Sequence, residues 1–399
     1  MNLINLFQGI GTMFYQSPQI VICRIALIFA GFLLVYLGKK EILEPLIMVP
    51  MGVGMSAVNA GMLFLDGNKI GNLIIDPLLT STDDLMKYMQ INFLQPVYTL
   101  TFSNGLIACL VFMGIGILCD LGYVLDHPFI SMTIALFAEL GTIATYPIAK
   151  LMGLSDGAAA AVSIIGGADG PMVLFASLKL APEYFVPISI VAYLYLSLTY
   201  GGYPYLIRLF IPKELRGKTI KREKQIQKTT SAEKIVFAVI ANALLCLLFP
   251  VAAPLFLSFF LGIIIREAGI SRYVSLVGDG FLYTATFFLG LILGVLCDAS
   301  TLLNPVVLKL LVLGMLSLLL SGIGGIIGGY VVYFVKGKNF NPTVGIAGVS
   351  CVPSTAKVAQ KAAQKANASA FILDYALGAN ICGVITTAIL TAIYVTLLS

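Results

Sequence analysis

The chain has 399 residues, 59% hydrophobic and only 11% charged, with a formal net charge of +5. Soluble domains carry about 25% charged residues, so a soluble globular fold is excluded and an all-α polytopic membrane protein is expected. The basic excess is assigned to cytoplasmic loops under the positive-inside rule, and a nucleic-acid partner is not expected.

The first apolar run, 19–38, is long enough to span a bilayer. No Lys or Arg occurs among the first 23 residues, so it is read as a retained helix and not a cleaved signal. Further spans are expected at 42–64, 104–119, 129–152 and 184–211, then at 235–249, 251–265, 281–297, 305–335 and 371–398. Two other apolar stretches, 156–178 and 341–356, are interrupted by glycine and proline and are expected to be broken. The stretch 66–103 holds Asp66, Asp76, Asp83 and Asp84 against Lys69 and Lys87, and is placed outside. The stretch 212–234 holds Lys213, Arg216, Lys218, Lys221, Arg222, Lys224, Lys228 and Lys234 against three glutamates, and is read as a cytoplasmic linker. This divides the chain into an N-terminal membrane repeat, 1–211, with an extra first helix and the external loop 66–103; the linker, 212–234; and a C-terminal membrane repeat, 235–399. The seven cysteines lie in or beside apolar runs without a Cys-x-x-Cys, as buried free thiols do. The single histidine, His127, precedes Pro128 and is read as a turn residue.

The two halves share an order of motifs. Gly116-Ile-Leu-Cys-Asp120 and Asp126-His-Pro128 correspond to Gly294-Val-Leu-Cys-Asp298 and Leu303-Asn-Pro305. A span follows each. Then come Ile165-Gly-Gly-Ala-Asp-Gly-Pro171 and Ile346-Ala-Gly-Val-Ser-Cys-Val-Pro353, and one last long span. Counting crossings against the basic loops requires 156–178 to be a re-entrant hairpin, because a plain crossing would put the basic linker outside. The second hairpin, 341–356, then enters from the inside, and the repeats are inverted. Secondary transporters, elevator types among them, are built this way, with the binding site at the repeat interface.

The stretch Ser163-Ile-Ile-Gly-Gly-Ala-Asp-Gly-Pro171 is the focus of the chain. Glycine and proline there break a helix, and broken backbone survives in lipid only when buried in protein or lining a wet cavity. Its one carboxylate, Asp169, either binds a cation within the membrane or caps a turn near the surface; within the membrane a charge costs at least about 2.5–3.5 kcal/mol. A hard cation wants several oxygen ligands, and other candidates carry them. Asn341 before Pro342 is either a ligand or an N-cap followed by proline at the first helical position. Ser350, near Pro353, is either a ligand or, more ordinarily for a membrane serine, bonded back to its own helix. Asn380, in Gly378-Ala-Asn-Ile-Cys-Gly383, is either a ligand or an interhelical hydrogen-bond former. Tyr193, Tyr195 and Tyr200 on general grounds are core or interface residues. Asp120 and Asp298 are expected to sit at span ends and cap the next segment. Lys357, Lys361 and Lys365 look like a solvated helix face, but Lys357 lies near enough to the Pro353 break to reach an anionic ligand.

Read together, these motifs resemble the beta subunits of the biotin-dependent, sodium-translocating decarboxylases, the oxaloacetate, methylmalonyl-CoA, glutaconyl-CoA and malonate decarboxylase pumps. The resemblance rests on Ser163–Pro171, on Glu44-Pro-Leu-Ile-Met-Val-Pro50-Met-Gly52, on Asn341-Pro-Thr-Val-Gly-Ile-Ala-Gly-Val-Ser350-Cys-Val-Pro353 and on Gly378-Ala-Asn380-Ile-Cys-Gly-Val384, in that family's order. It implies an enzyme that decarboxylates carboxybiotin supplied from the cytoplasm by a partner subunit, consumes a proton and exports Na+. It implies Asp169 as the sodium carboxylate, with Asn341, Asn380 and Ser350 as further sodium ligands or close neighbours. Tyr195 and Ser350 match positions that handle ion and proton, and Lys357 matches the position facing the carboxybiotin carboxylate. Lys357 departs from the family's usual arginine, losing the bidentate fork; Met172 and Ala379 replace an expected Thr and Pro. The implied partners are a small membrane-anchor subunit, a biotin carrier protein, a carboxyltransferase subunit, further copies of the chain and the lipid of a bacterial inner membrane. Two alternatives are a sodium-coupled solute transporter with the same hairpins and a purely structural membrane anchor.

Overall fold

Proline placement sets where several helices begin. Its missing N–H and fixed φ suit the first helical turn. Thus α1, Pro18–Lys39, follows Ser17, and α2, Pro45–Ala60, follows Glu44. The computed structural model describes residues 6–65, 69–76, 92, 94–220 and 229–398. Asp66, Asp83, Asp84 and Lys87 of the acidic stretch and Lys221, Arg222, Lys224 and Lys228 of the linker lie outside the described residues.

The other principal helices are α3, Leu106–Leu118; α4, Pro128–Leu151; α5, Asp156–Ser163; α6, Gly170–Leu180; α7, Phe185–Phe210; α8, Ser231–Leu248; α9, Ala253–Glu267; α10, Leu282–Leu296; α11, Pro305–Val335; α12, Ser354–Ala366; and α13, Leu373–Leu398. Among the described residues, seven helices are long and apolar enough to cross a membrane, at 18–39, 128–151, 231–248, 250–267, 271–296, 305–335 and 373–398. Two bent pairs qualify jointly: 95–118, bent by 66°, and 182–210, bent by 56°. The chain is therefore an all-α multi-pass membrane protein. Two expectations change: the run 42–64, read as a span, is helical only over Pro45–Ala60, too short to count among these helices, and ends in a short strand at Leu63–Phe64. The end of the stretch read as a loop is helical over Gln95–Val97 and continues as a π-helical turn over Tyr98–Phe102. Its apolar side chains Leu94, Tyr98 and Phe102 are buried, so it packs and does not trail in solvent.

The contacts group the chain into two compact units. The first comprises Met1–Ile107 with Thr284–Leu310. In it α1 lies along α2 through small residues: a Cβ on Gly31 would meet the Gly52 carbonyl oxygen at 2.5 Å, and one on Gly52 the Gly31 oxygen at 2.5 Å. Arg24 is fully buried in α1 and donates to the Asn59 carbonyl at 3.0 Å, Thr12 Oγ1 at 3.0 Å and Gln16 Oε1 at 2.7 Å. The second unit comprises Ala108–Tyr283 with Leu311–Ser399. It contains both broken segments, one from each half of the sequence. At the end of α3, Asp120 accepts from the Gly122 N–H at 2.8 Å, Lys234 Nζ at 2.6 Å and Arg266 Nη2 at 3.3 Å. Asp298, as expected, caps the short helix Ala299–Leu302, accepting from the N–H groups of Ser300 and Thr301. His127, as expected, occupies the turn between Gly122–Asp126 and α4, and stacks on Tyr375 with ring centroids 4.4 Å apart. The seven cysteines are free and buried or half-buried.

Candidate cation site

The first broken segment behaves as its glycines require. Ser155 caps α5, which ends at Ser163 and tightens into a 3-10 turn over Ile164–Gly167. Ala168 then adopts a left-handed conformation, φ 56° and ψ 33°. That reversal presents Asp169 as the N-cap of α6, with Pro171 in the first turn. Asp169 Oδ1 accepts from the Met172 N–H at 3.4 Å. Oδ2 is buried and has no hydrogen-bond partner. Asp169 does cap a helix, but at only 3% exposure it sits in the interior and not at the surface. The positive end of α6 favours its charge.

The second broken segment is a 3-10 helix over Pro342–Gly348, an irregular stretch, then α12. Breaking a helix frees backbone carbonyls, which must be satisfied elsewhere. Asn380 Nδ2, on α13, meets the Ala347 and Val349 carbonyls, each at 3.0 Å, and Thr355 Oγ1 at 2.9 Å. Its Oδ1 is left buried without a partner. Ser350 does not bond back to its own helix; it lies in the irregular stretch just past the 3-10 helix. Instead its N–H and hydroxyl both donate to the Gly167 carbonyl, at 2.9 and 2.6 Å. The two breaks are therefore joined directly, and α13 closes on them so tightly that a Cβ on Gly383 would lie 2.4 Å from the Gly348 oxygen.

Asn341 takes the second of its two expected roles. Asn341 is an N-cap: Oδ1 accepts from the Thr343 N–H at 3.0 Å, while Nδ2 donates to the Arg216 and Lys218 carbonyls at 2.8 Å each. Among the described residues it makes no hydrogen bond to Asp169, Ser350 or Asn380. Tyr195 is buried on α7 beside Gly314. It is Tyr193 that abuts the first break, its hydroxyl 2.4 Å from where a Cβ on Gly170 would stand. Lys357 is exposed in the first turn of α12. Lys361 donates to Tyr200 Oη at 2.7 Å and rests over that ring. The sequence expectations omit Glu139, although a lone carboxylate within the apolar run 128–151 was the signal for it. Glu139 is buried on α4, and Oε1 accepts a short hydrogen bond from Thr387 Oγ1. Thr387 Oγ1 in turn lies 3.3 Å from Ser350 Oγ.

Residues 23–398 match the family described as the Na+-transporting oxaloacetate decarboxylase beta subunit. Carboxybiotin decarboxylase of Malonomonas rubra is 55% identical over 397 residues, covering 99% of this chain and 98% of that protein. The methylmalonyl-CoA decarboxylase subunit beta of Veillonella parvula is 30% identical over 374 residues, covering 94% and 92%. Oxaloacetate decarboxylase beta chain 2 of Salmonella typhimurium is 31% identical over 426 residues, covering 96% of each. With similarity running nearly end to end through both broken segments, the chain belongs to the Na+-transporting oxaloacetate decarboxylase beta-subunit family.

Proposed function

We propose that this chain is the membrane subunit of a decarboxylase sodium pump, releasing CO2 from carboxybiotin and exporting Na+. The observation that carries the assignment of the site is the junction of the two breaks. Ser350 bonds to the freed Gly167 carbonyl, while Asp169 Oδ2 and Asn380 Oδ1 remain buried and unpartnered. Unpartnered buried oxygens are costly, and a cation that takes them as ligands removes that cost. Asp169 supplies the charge; Asn380 and Ser350 supply neutral oxygens. Asn341 holds the start of the second broken segment, its own oxygen engaged by Thr343. Lys357 meets the carboxylate of carboxybiotin arriving from a biotin carrier at the cytoplasmic face. When the N–C bond of carboxybiotin breaks, CO2 leaves and the electron pair stays on the ureido nitrogen, which takes up one proton. Tyr195 is assigned to that proton's handling. Chemistry and transport then bias one two-state element, as coupling demands. Inverted repeats moving in an elevator-like manner, a cytoplasmic linker 212–234 in a bacterial inner membrane, and a complex with a small anchor subunit, biotin carrier and carboxyltransferase complete the reading.

The test uses the full chain, with its anchor subunit, in sealed vesicles. Carboxylated carrier is added on the cytoplasmic side, and CO2 release and 22Na+ movement are followed. Sodium-dependent CO2 release with sodium leaving that side, both lost in Asp169→Asn, is the expected result. Uptake of a solute with sodium and no CO2 release overturns it. So does full turnover in a correctly assembled Asp169→Asn.

A further inference from the structure

A second acidic group is buried beside the first break. Glu139 is 4% exposed, and no lysine, arginine or histidine pairs with it among the described residues. Oε1 is held by Thr387, but Oε2 is buried without a hydrogen-bond partner. An unpaired charge in a membrane interior is expensive, and Glu139 interacts electrostatically with the equally unpaired Asp169, which adds like-charge repulsion.

The surroundings of Glu139 are rich in oxygen. Thr142 lies three residues beyond Glu139 on α4, and its Oγ1 is 3.4 Å from Ser321 Oγ. Both hydroxyls, with Ser317 Oγ, crowd the space that a Cβ on Gly166 would fill, at 2.9, 2.6 and 2.5 Å. Ser317 is already committed, donating to the Ser163 carbonyl at 2.8 Å. Thr387 spends its single proton on Glu139, and Ser350 spends its own on Gly167. Their oxygens lie 3.3 Å apart. A buried carboxylate without a counter-charge and hydroxyls clustered against a glycine make an environment for a small cation and a poor one for apolar packing.

We propose that Glu139, with the hydroxyl oxygens of Thr142, Ser321 and Thr387, forms a second binding site for a small alkali cation, separate from the Asp169 site. It rests on the sodium-pump reading only in naming Na+ as the ion. Thr387 joins the two sites, touching Glu139 on one side and Ser350 on the other, so occupancy of one is felt at the other.

The experiment is 22Na+ equilibrium dialysis of the purified full chain, alongside Glu139→Gln, Asp169→Asn and the double variant. The wild type is expected to take up sodium in two saturable steps. Each single variant loses one step, and the double variant loses both. Glu139→Gln binding as much sodium as wild type, with the same midpoint, overturns the second site; loss of all sodium in either single variant overturns its separateness. Retention of every step in Asp169→Asn instead sinks the Asp169 assignment and leaves this one standing. Should Glu139→Gln fail to fold, the double substitution Thr142→Val with Ser321→Ala keeps the carboxylate. It is expected to weaken the Glu139 step at least tenfold, and an unchanged midpoint counts against the site.

Discussion

Asn380 spends its amide on two carbonyls released by the second break, so removing it strands acceptors in the core. A stranded buried group costs about 1–3 kcal/mol. Asn380→Ala is therefore expected to lower thermal stability by about that much even without sodium, read by the unfolding midpoint in detergent. Gly166 faces three hydroxyls with no room for a Cβ; overpacking costs about 1–3 kcal/mol, so Gly166→Ala should both destabilise the chain and weaken sodium protection against heat. Lys357 is exposed. Lys357→Ala is expected to abolish carboxybiotin turnover while sodium still protects the protein from heat, and Lys357→Arg to keep turnover; loss of sodium protection in the alanine variant contradicts the role. Asp120 lies outside the spans. Burial pushes its carboxyl upward, but the Lys234 hydrogen bond, the Gly122 N–H and Arg266 outweigh this and leave it below the ordinary carboxylate range. A carboxyl held low in the folded state stabilises above its unfolded value, and that stability is lost as pH falls through the folded one. Asp120→Asn should flatten the acid side of a stability-against-pH curve.

At the scale of elements, the site depends on helices that approach one another through glycine. A Cβ on Gly141 of α4 would stand 2.1 Å from the Ser321 backbone nitrogen of α11, and one on Gly324 2.3 Å from the Phe137 oxygen. Gly325 and Gly345 bring α11 similarly close to the second broken segment, at 2.4 and 2.1 Å by the same measure. Small residues of this kind let membrane helices approach closely. Gly324→Val is expected to separate α4 from α11, reducing the yield of folded chain and exposing it to protease, where Gly202→Ala, with open space around it, does neither. The motif spacing that marked the broken segments located both breaks within a few residues, because glycine and proline act on their own backbone. The destination of the freed carbonyls was not legible, since Ser350 and Gly167 are 183 positions apart.

For the molecule as a whole, the basic residues are proposed to set orientation under the positive-inside rule. A cysteine at exposed Lys213 in an otherwise cysteine-free chain is expected to react with an impermeant maleimide only from the cytoplasmic side. One at exposed Asn304 should react only from outside, and the reverse pattern would invert the proposed topology. The sequence alone determined the membrane class, most of the spans, the two breaks and the family resemblance, because hydrophobic run length and helix-breaking residues are local properties of the chain. Tertiary structure decided which oxygens meet. It drew Ser350 across to Gly167, engaged Asn341 with the linker carbonyls and put Glu139 against Thr387. Those partners come from distant segments, and only close packing of α4, α11 and α13 around the broken backbone brings them within reach.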